Sequence, residues 1–217
     1  MEITVIPTGV FQVNTLVVPL NRFQAFLVDI GGDVDVVAAT LKRRELEPVA
    51  FVFTHGHFDH ILGLSGLLEL YPNIPIAIHT DERERFGNSG WKILTQDLYN
   101  FGLEHLFPKE KTLPNATVLL EEGDFLSKIP ELPLQSSMWQ VLHTPGHTPG
   151  SMCLYNKEQG ILLSGDTLFY GGYGRTDLLG GSEKAIIKSL KTLYQLPKET
   201  RIFPGHGRTD FTLSQLD

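Results

Sequence analysis

The chain has 217 residues with 25 acidic and 18 basic side chains, a formal charge of −7 that argues against a nucleic-acid-binding face, because phosphate backbones demand a basic one. Hydrophobic residues make up 41% and charged residues 20%, the balance of a soluble globular protein, and the length fits one domain over residues 1–217 with a substantial core. No apolar run approaches the roughly 20 residues that span a bilayer. The N-terminus lacks a basic segment followed by a hydrophobic stretch, and Cys153 is the only cysteine. An internal disulfide is therefore ruled out, and a cytoplasmic protein is expected.

In chain order, Ile3 to Ile6, Thr15 to Pro19 and Phe23 to Ile30 are apolar or β-branched runs that predict strands, with Leu20-Asn21-Arg22 as a tight turn before the third. Gly31-Gly32-Asp33 ends the third strand, and Val34 to Leu46 carries apolar residues at helical spacing. Ala50 to Phe53 is wholly apolar and predicts a short strand buried on both faces. Asp59 to Tyr71 reads as a helix stopped by Pro72, and Ile74 to His79 as another strand. Residues 80–115 are the least regular; the run Asp81-Glu82-Arg83-Glu84-Arg85 reads as the solvated face of a helix, and the remainder as helical cover over a pocket. Strands resume at Val118 to Leu120, Trp139 to His143, Ser151 to Tyr155 and Ile161 to Ser164. Glu183 to Leu196 is a helix and Arg201 to Phe203 a last strand. Strands running into helices twice, with no linker-like tract between, predict two sheets inside and helices outside.

The chemistry is concentrated just after the strand at Ala50 to Phe53. Thr54-His55-Gly56-His57-Phe58-Asp59-His60 holds three imidazoles and a carboxylate. Three more donors lie far downstream: His147 after Pro145-Gly146, Asp166 after Ser164-Gly165, and His206 after Pro204-Gly205. Imidazole nitrogen and carboxylate oxygen are ligands preferred by zinc and also suit iron and manganese. Seven such groups exceed one tetrahedral ion but suffice for two, if one carboxylate bridges. His55 and His57, two positions apart in an extended segment, project to one side and can reach one ion; Asp59 and His60 lie further on, at the turn into a helix, where they can address a second. The downstream donors share one pattern, a short apolar strand followed by glycine, which lets the backbone turn close to a metal.

Together, His-x-His-x-Asp-His and the later His, Asp and His resemble the metallo-β-lactamase superfamily over nearly the whole chain. The resemblance implies an α/β fold, an αββα four-layer sandwich of two mixed β-sheets flanked by helices. It also implies two divalent ions, zinc first with iron or manganese as alternatives. One is held by His55, His57 and His147, the other by Asp59, His60 and His206, and Asp166 bridges them. Within the superfamily, Gly165-Asp166-Thr167-Leu168-Phe169 followed by Gly174-Arg175-Thr176-Asp177 is most similar to short glyoxalase-II-type hydrolases. That likeness implies hydrolysis of S-lactoylglutathione or a related small thioester through a metal-bound hydroxide, with Asp59 also orienting the water.

Substrate contacts are expected at Arg175, which matches a basic residue that meets glutathione in glyoxalase II proteins, and at Tyr173 in the Gly171-Gly172-Tyr173-Gly174 loop bordering the metals. A surface arginine is the plain alternative for Arg175. Two departures from the longer enzymes weaken the case for glutathione: Asp177 stands where they tend to have tyrosine, and Asp217 lies eleven positions after His206, so the helical C-terminal extension is expected to be absent. His79, His105 and His143 lack the glycine context and read as structural, and Cys153 as a small buried residue.

The rival readings are a mononuclear-iron persulfide dioxygenase, which shares the metal motif and the Gly-Arg-Thr-Asp element, and a lactonase. β-Lactam hydrolysis is disfavoured by the lack of an export signal, and flavodiiron chemistry by His57, where those proteins carry glutamate. The expected partner is a small thioester, with no nucleic acid and no membrane.

Overall fold

The computed structural model describes residues 2–106 and 112–216; residues 107–111, within the irregular region 80–115, lie outside them. Strands β1 (Thr4–Thr8), β2 (Val13–Pro19) and β3 (Gln24–Val28) pair antiparallel in succession. Strands β4 (Glu47–Val52), β5 (Ile76–His79) and β6 (Val118–Leu120) extend that sheet in parallel. The second sheet has the order β11-β10-β9-β8-β7, formed by β7 (Trp139–His143), β8 (Met152–Asn156), β9 (Ile161–Gly165), β10 (Arg201–Pro204) and β11 (Phe211–Thr212). It too is mixed, since β9 and β10 are parallel and the other pairs antiparallel.

The two-residue period of a strand sets the layers. In the first sheet, Leu16, Val18, Phe26, Val28, Ala50 and Val52 face the other sheet, where they meet Val141, Leu154, Leu163 and Phe203. Their neighbours Val17, Ala25, Leu27, Phe51 and Phe53 face outward onto helices. Those helices are α1 (Val34–Arg43), α2 (Phe58–Ile61), α3 (Leu64–Leu70) and α4 (Gly87–Asn100), which contribute Val37, Leu41, Leu64, Leu67, Leu94 and Leu98. In the second sheet, Cys153, Tyr155, Leu162 and Ile202 turn outward and pack with Leu193 of α5 (Glu183–Leu193). The result is the αββα sandwich. Among the described residues, no helix is long and apolar enough to cross a membrane.

Three expectations need correction. The single helix Asp59 to Tyr71 is two helices, because the backbone of Ile30 interrupts its ladder. Ile30 donates its N–H to His60 O at 2.7 Å and accepts from Gly63 N at 2.9 Å, so both groups are withdrawn from helical partners. Only glycine fits there, since a Cβ at Gly63 would stand 2.6 Å from Ile30 Cγ2. The charged run is a 3-10 helix (Thr80–Arg85) that presents Asp81, Arg83 and Glu84 to solvent as expected, but Glu82 turns inward and is only 2% exposed. The helix expected over Val34 to Leu46 stops at Arg43, where Glu45 takes φ 54° and Leu46 N closes the turn on Leu41 O at 3.0 Å.

Candidate metal centre

All seven expected donors lie at the carboxyl ends of strands: His55, His57, Asp59 and His60 after β4, His147 after β7, Asp166 after β9 and His206 after β10. Their atoms form two clusters. In the first, His57 Nδ1 lies 3.1 Å from His55 Nε2 and 2.8 Å from His147 Nε2. In the second, His206 Nε2 lies 3.3 Å from His60 Nε2 and 3.4 Å from Asp59 Oδ2. Asp166 stands between them, with Oδ2 3.5 Å from His147 Nε2 and 3.6 Å from His206 Nε2, and Oδ1 3.5 Å from His60 Nε2.

The outer nitrogens of four rings show which lone pairs face inward. His147 Nδ1 meets Arg175 O at 2.8 Å, His206 Nδ1 meets Phe11 O at 3.1 Å, and His60 Nδ1 meets Asp29 Oδ2 at 2.9 Å. Carbonyl and carboxylate oxygens only accept, so each Nδ1 carries the hydrogen and each Nε2 points a lone pair into the site. His55 Nδ1 meets Thr54 Oγ1 at 3.1 Å, and that hydroxyl gives its own hydrogen to Asp29 Oδ2 at 2.8 Å, leaving it free to accept. His57 differs, turning Nδ1 inward.

Electrostatics divide the two clusters. Burial, and then neighbouring imidazoles, push His55 well below its usual value, and burial with His147 and Arg85 takes His57 to about 3. Burial also lowers His147. These three rings are neutral donors. Burial opposes charge on His60, but Asp166, Asp29 and Asp59 outweigh it and raise that ring well above its usual value. His206 is raised in the same way by its hydrogen bond to Asp59 and by Asp166, against burial. The carboxyl groups respond in kind: burial would raise Asp59, yet His60 and His206 bring it down to about 2, and His60 similarly lowers Asp166.

The donor set fits metal ions on two further observations. Asp166 Oδ1 is buried without a hydrogen-bond partner among the described residues, an uncommon state for a carboxylate oxygen unless an ion satisfies it. Gly205 leaves the space beside it open, because a Cβ there would stand 2.8 Å from His60 Cε1 and press on Asp166 Oδ1. Buried carboxylates and imidazoles in this density are what dinuclear sites use.

Sequence reasoning missed the residues that hold the donors. Asp29, just past β3, accepts from Thr54 N at 2.8 Å, from the Thr54 hydroxyl and from His60. An acidic residue closing an apolar strand before Gly31-Gly32 was the available signal. Glu82 accepts from Gly56 N and Gly150 N, both at 3.0 Å, tying the loop of His55 and His57 to the loop of His147. Nothing local distinguishes it from its charged neighbours. Of the residues read as structural, His79 and His143 stack with centroids 4.0 Å apart at 14°. His143 Nε2 donates to Pro149 O at 2.9 Å, and His79 Nδ1 accepts from Asp81 N at 3.2 Å. Cys153 is buried.

A cavity of about 830 Å³ opens above the donors, lined by His57, Asp59, His147, Asp166, His206 and Arg175, among others. The Arg175 guanidinium grips Asp177 through two bonds of 2.7 Å. Tyr173 does not line this cavity. The turn closed between Phe169 N and Gly172 O at 2.9 Å carries it to a neighbouring groove shared with Tyr170 and Tyr194.

The family model of the metallo-beta-lactamase superfamily matches residues 8–206. The chain is 33% identical over 212 residues to the probable metallo-hydrolase YqgX of Bacillus subtilis, covering 97% of this chain and 92% of that protein. It is 29% identical over 209 residues to the hydroxyacylglutathione hydrolase GloC of Haemophilus influenzae, covering 95% and 91%. Among solved structures, the B3 metallo-beta-lactamase BLEG-1 superposes with TM-score 0.80 at 31% identity, covering 99% and 95%. TTHA1623 in a di-iron-bound form gives 0.78 at 32%, covering 98% and 96%. ETHE1 from Myxococcus xanthus gives 0.73 at 25%, covering 99% and 81%.

Proposed function

The chain belongs to the metallo-beta-lactamase superfamily, and we propose that within it the protein is a metal-dependent thioesterase of glyoxalase II type, acting on S-lactoylglutathione or a related small thioester. The observation that carries this reading is the pair of donor clusters sharing Asp166 at the floor of an open cavity. His55, His57 and His147 would hold one ion, Asp59, His60 and His206 the other, with Asp166 reaching both. Bound divalent ions supply an activated water, lowering its pKa from about 15.7 to about 7.

The chain's own groups do the rest. Asp59, anionic at neutral pH because its carboxyl is held at about 2, is an acceptor that orients the attacking water by one of its O–H bonds. The second-layer oxygens of Arg175, Phe11 and Asp29 keep three imidazoles in the tautomer that leaves Nε2 free. A thiolate leaves readily, with a pKa near 8.5, so no strong general acid is required beside the cavity. Zinc is the first choice of metal on ligand chemistry, with iron or manganese as alternatives, and the di-iron form of TTHA1623 keeps iron in contention.

One observation favours a second reading: the likeness to ETHE1, which goes with the persulfide dioxygenase alternative. A single set of measurements decides. Metal content is quantified, and the same preparation is assayed anaerobically for thioester, lactone and β-lactam hydrolysis and aerobically for oxygen uptake with glutathione persulfide. Two ions per chain with anaerobic release of glutathione supports the thioesterase. One iron with oxygen uptake and no hydrolysis overturns it.

A further inference from the structure

The wall of the cavity is aromatic on the side where the ions would sit. Phe58 lies between His57 and Asp59, and the carbonyl of Phe11 is the group that His206 Nδ1 addresses. One ring is thus built into a segment that carries donors, and a second into the segment whose carbonyl meets one of them. Phe101, at the end of α4, completes the wall: its ring lies 5.4 Å from Phe58 and 6.3 Å from Phe11, while Phe11 and Phe58 are 5.6 Å apart and edge-on.

Phe58 is packed into the core, but Phe11 and Phe101 remain 42% and 44% exposed, so two of the three rings are not spent on it. Apolar side chains scattered singly on a surface need no explanation, but three rings in mutual contact beside a donor cluster mark a binding face. The cavity's arginines offer a polar acyl group little, since Arg85 is paired with Asp97 at 2.8 Å and Arg175 with Asp177. Lys92, Gln96 and Asn100 also line the cavity, but a lactoyl hydroxyl packed on the three rings would face carbon.

We propose that, among thioesters, this site prefers a bulky apolar or aromatic acyl group, packed against Phe11, Phe58 and Phe101, over lactoyl. The proposal rests on the thioesterase reading, but its test does not depend on turnover. Burying one methylene is worth about fourfold in affinity, so a chain only half covered by the wall still gains at least tenfold over a single methyl.

The probes are the non-hydrolysable thioethers S-methylglutathione and S-hexylglutathione, titrated calorimetrically into the metal-loaded protein. The hexyl compound is expected to bind at least tenfold tighter, and the ratio to fall to about threefold or less in Phe101→Ala. The exposed α1 variant Val36→Ser, away from the cavity, controls for non-specific loss and should keep the ratio. In parallel, hexanoyl and benzoyl glutathione should exceed S-lactoylglutathione in kcat/KM through a lower KM. Equal affinities, no detectable binding of either thioether, or a ratio unmoved by Phe101→Ala overturns the proposal. Tight hexyl binding without hydrolysis of any thioester instead sinks the thioesterase reading and leaves the apolar site standing.

Discussion

Glu82 and Gly56 are joined across 26 positions of sequence by a hydrogen bond of 3.0 Å, from the Gly56 N–H to a carboxylate that is 2% exposed. Its other oxygen takes the N–H of Gly150, so one side chain pins the loop of His55 and His57 to the loop of His147. Glu82→Ala leaves two buried donors without partners, each costing about 1–3 kcal/mol. Glu82→Gln keeps one acceptor and should fall between. The expected outcome is a clear drop in thermal midpoint for the alanine variant, together with weaker metal retention against a chelator. A Glu82→Ala protein with wild-type midpoint and metal retention would remove Glu82 from the positioning of this site.

The donors were legible in sequence because their signal is local: residue type, spacing of two and three, and glycine after a short apolar strand. The two-faced burial of the strands was legible for the same reason, as in Ala50 to Phe53. What escaped depends on contacts distant in sequence. Asp29 and Glu82 look like ordinary acidic residues until folding brings Thr54, Gly56 and Gly150 to them. The break after α2 is made by Ile30, some thirty positions upstream of His60 and Gly63. Strand β11 spans only Phe211 and Thr212 and carries no period to read. Tyr173 was placed by its neighbourhood in sequence, whereas a tight turn decides which groove it reaches.

Asp177 accounts for how little Arg175 has to offer an anionic substrate. The pair is bidentate, and the hydrogen bonds from Arg175 bring the Asp177 carboxyl down to about 2, so Asp177 stays anionic near neutral pH and competes with a substrate anion for the guanidinium. Both groups are solvent-exposed, so breaking the pair should change stability little. Asp177→Asn should lower KM for anionic glutathione thioesters severalfold with kcat unchanged, and leave KM for a neutral thioester of N-acetylcysteamine where it was. If the two substrates respond alike, Arg175 does not read charge.

Cys153 is a proton-linked element of the core. Burial raises its thiol to about 11, although hydrogen bonds from Thr144 and Thr167 act in the opposite direction. A raised pKa means the folded state holds its proton longer than the unfolded chain does. The associated stability, about 2–3 kcal/mol, is complete below about pH 9 and is lost as pH climbs to about 11. Native protein should resist a disulfide-exchange reagent at about pH 8 and react at once in denaturant. The stability gap between wild type and Cys153→Ala should shrink over that alkaline window. Rapid labelling of the native protein at about pH 8 would contradict this placement.

The unequal protonation of the two clusters sets how metal should leave. His55, His57 and His147 are pushed below their usual values, so an ion there displaces few protons at neutrality. His60 is raised by Asp166, Asp29 and Asp59, and His206 by Asp59 and Asp166, so these two rings hold a proton more tightly than the other three. Protons on those two rings compete with an ion, and the competition strengthens as pH falls through their raised values. Dialysis at stepwise lower pH should therefore release one equivalent first, from Asp59, His60 and His206. The second should persist to more acidic pH. Calorimetric titration of metal-free protein in buffers of different ionisation enthalpy should likewise show greater proton release for one ion than for the other. Loss of both ions in a single step, with equal proton release on loading, would mean that the bridging Asp166 couples the clusters too tightly for their separate electrostatics to matter.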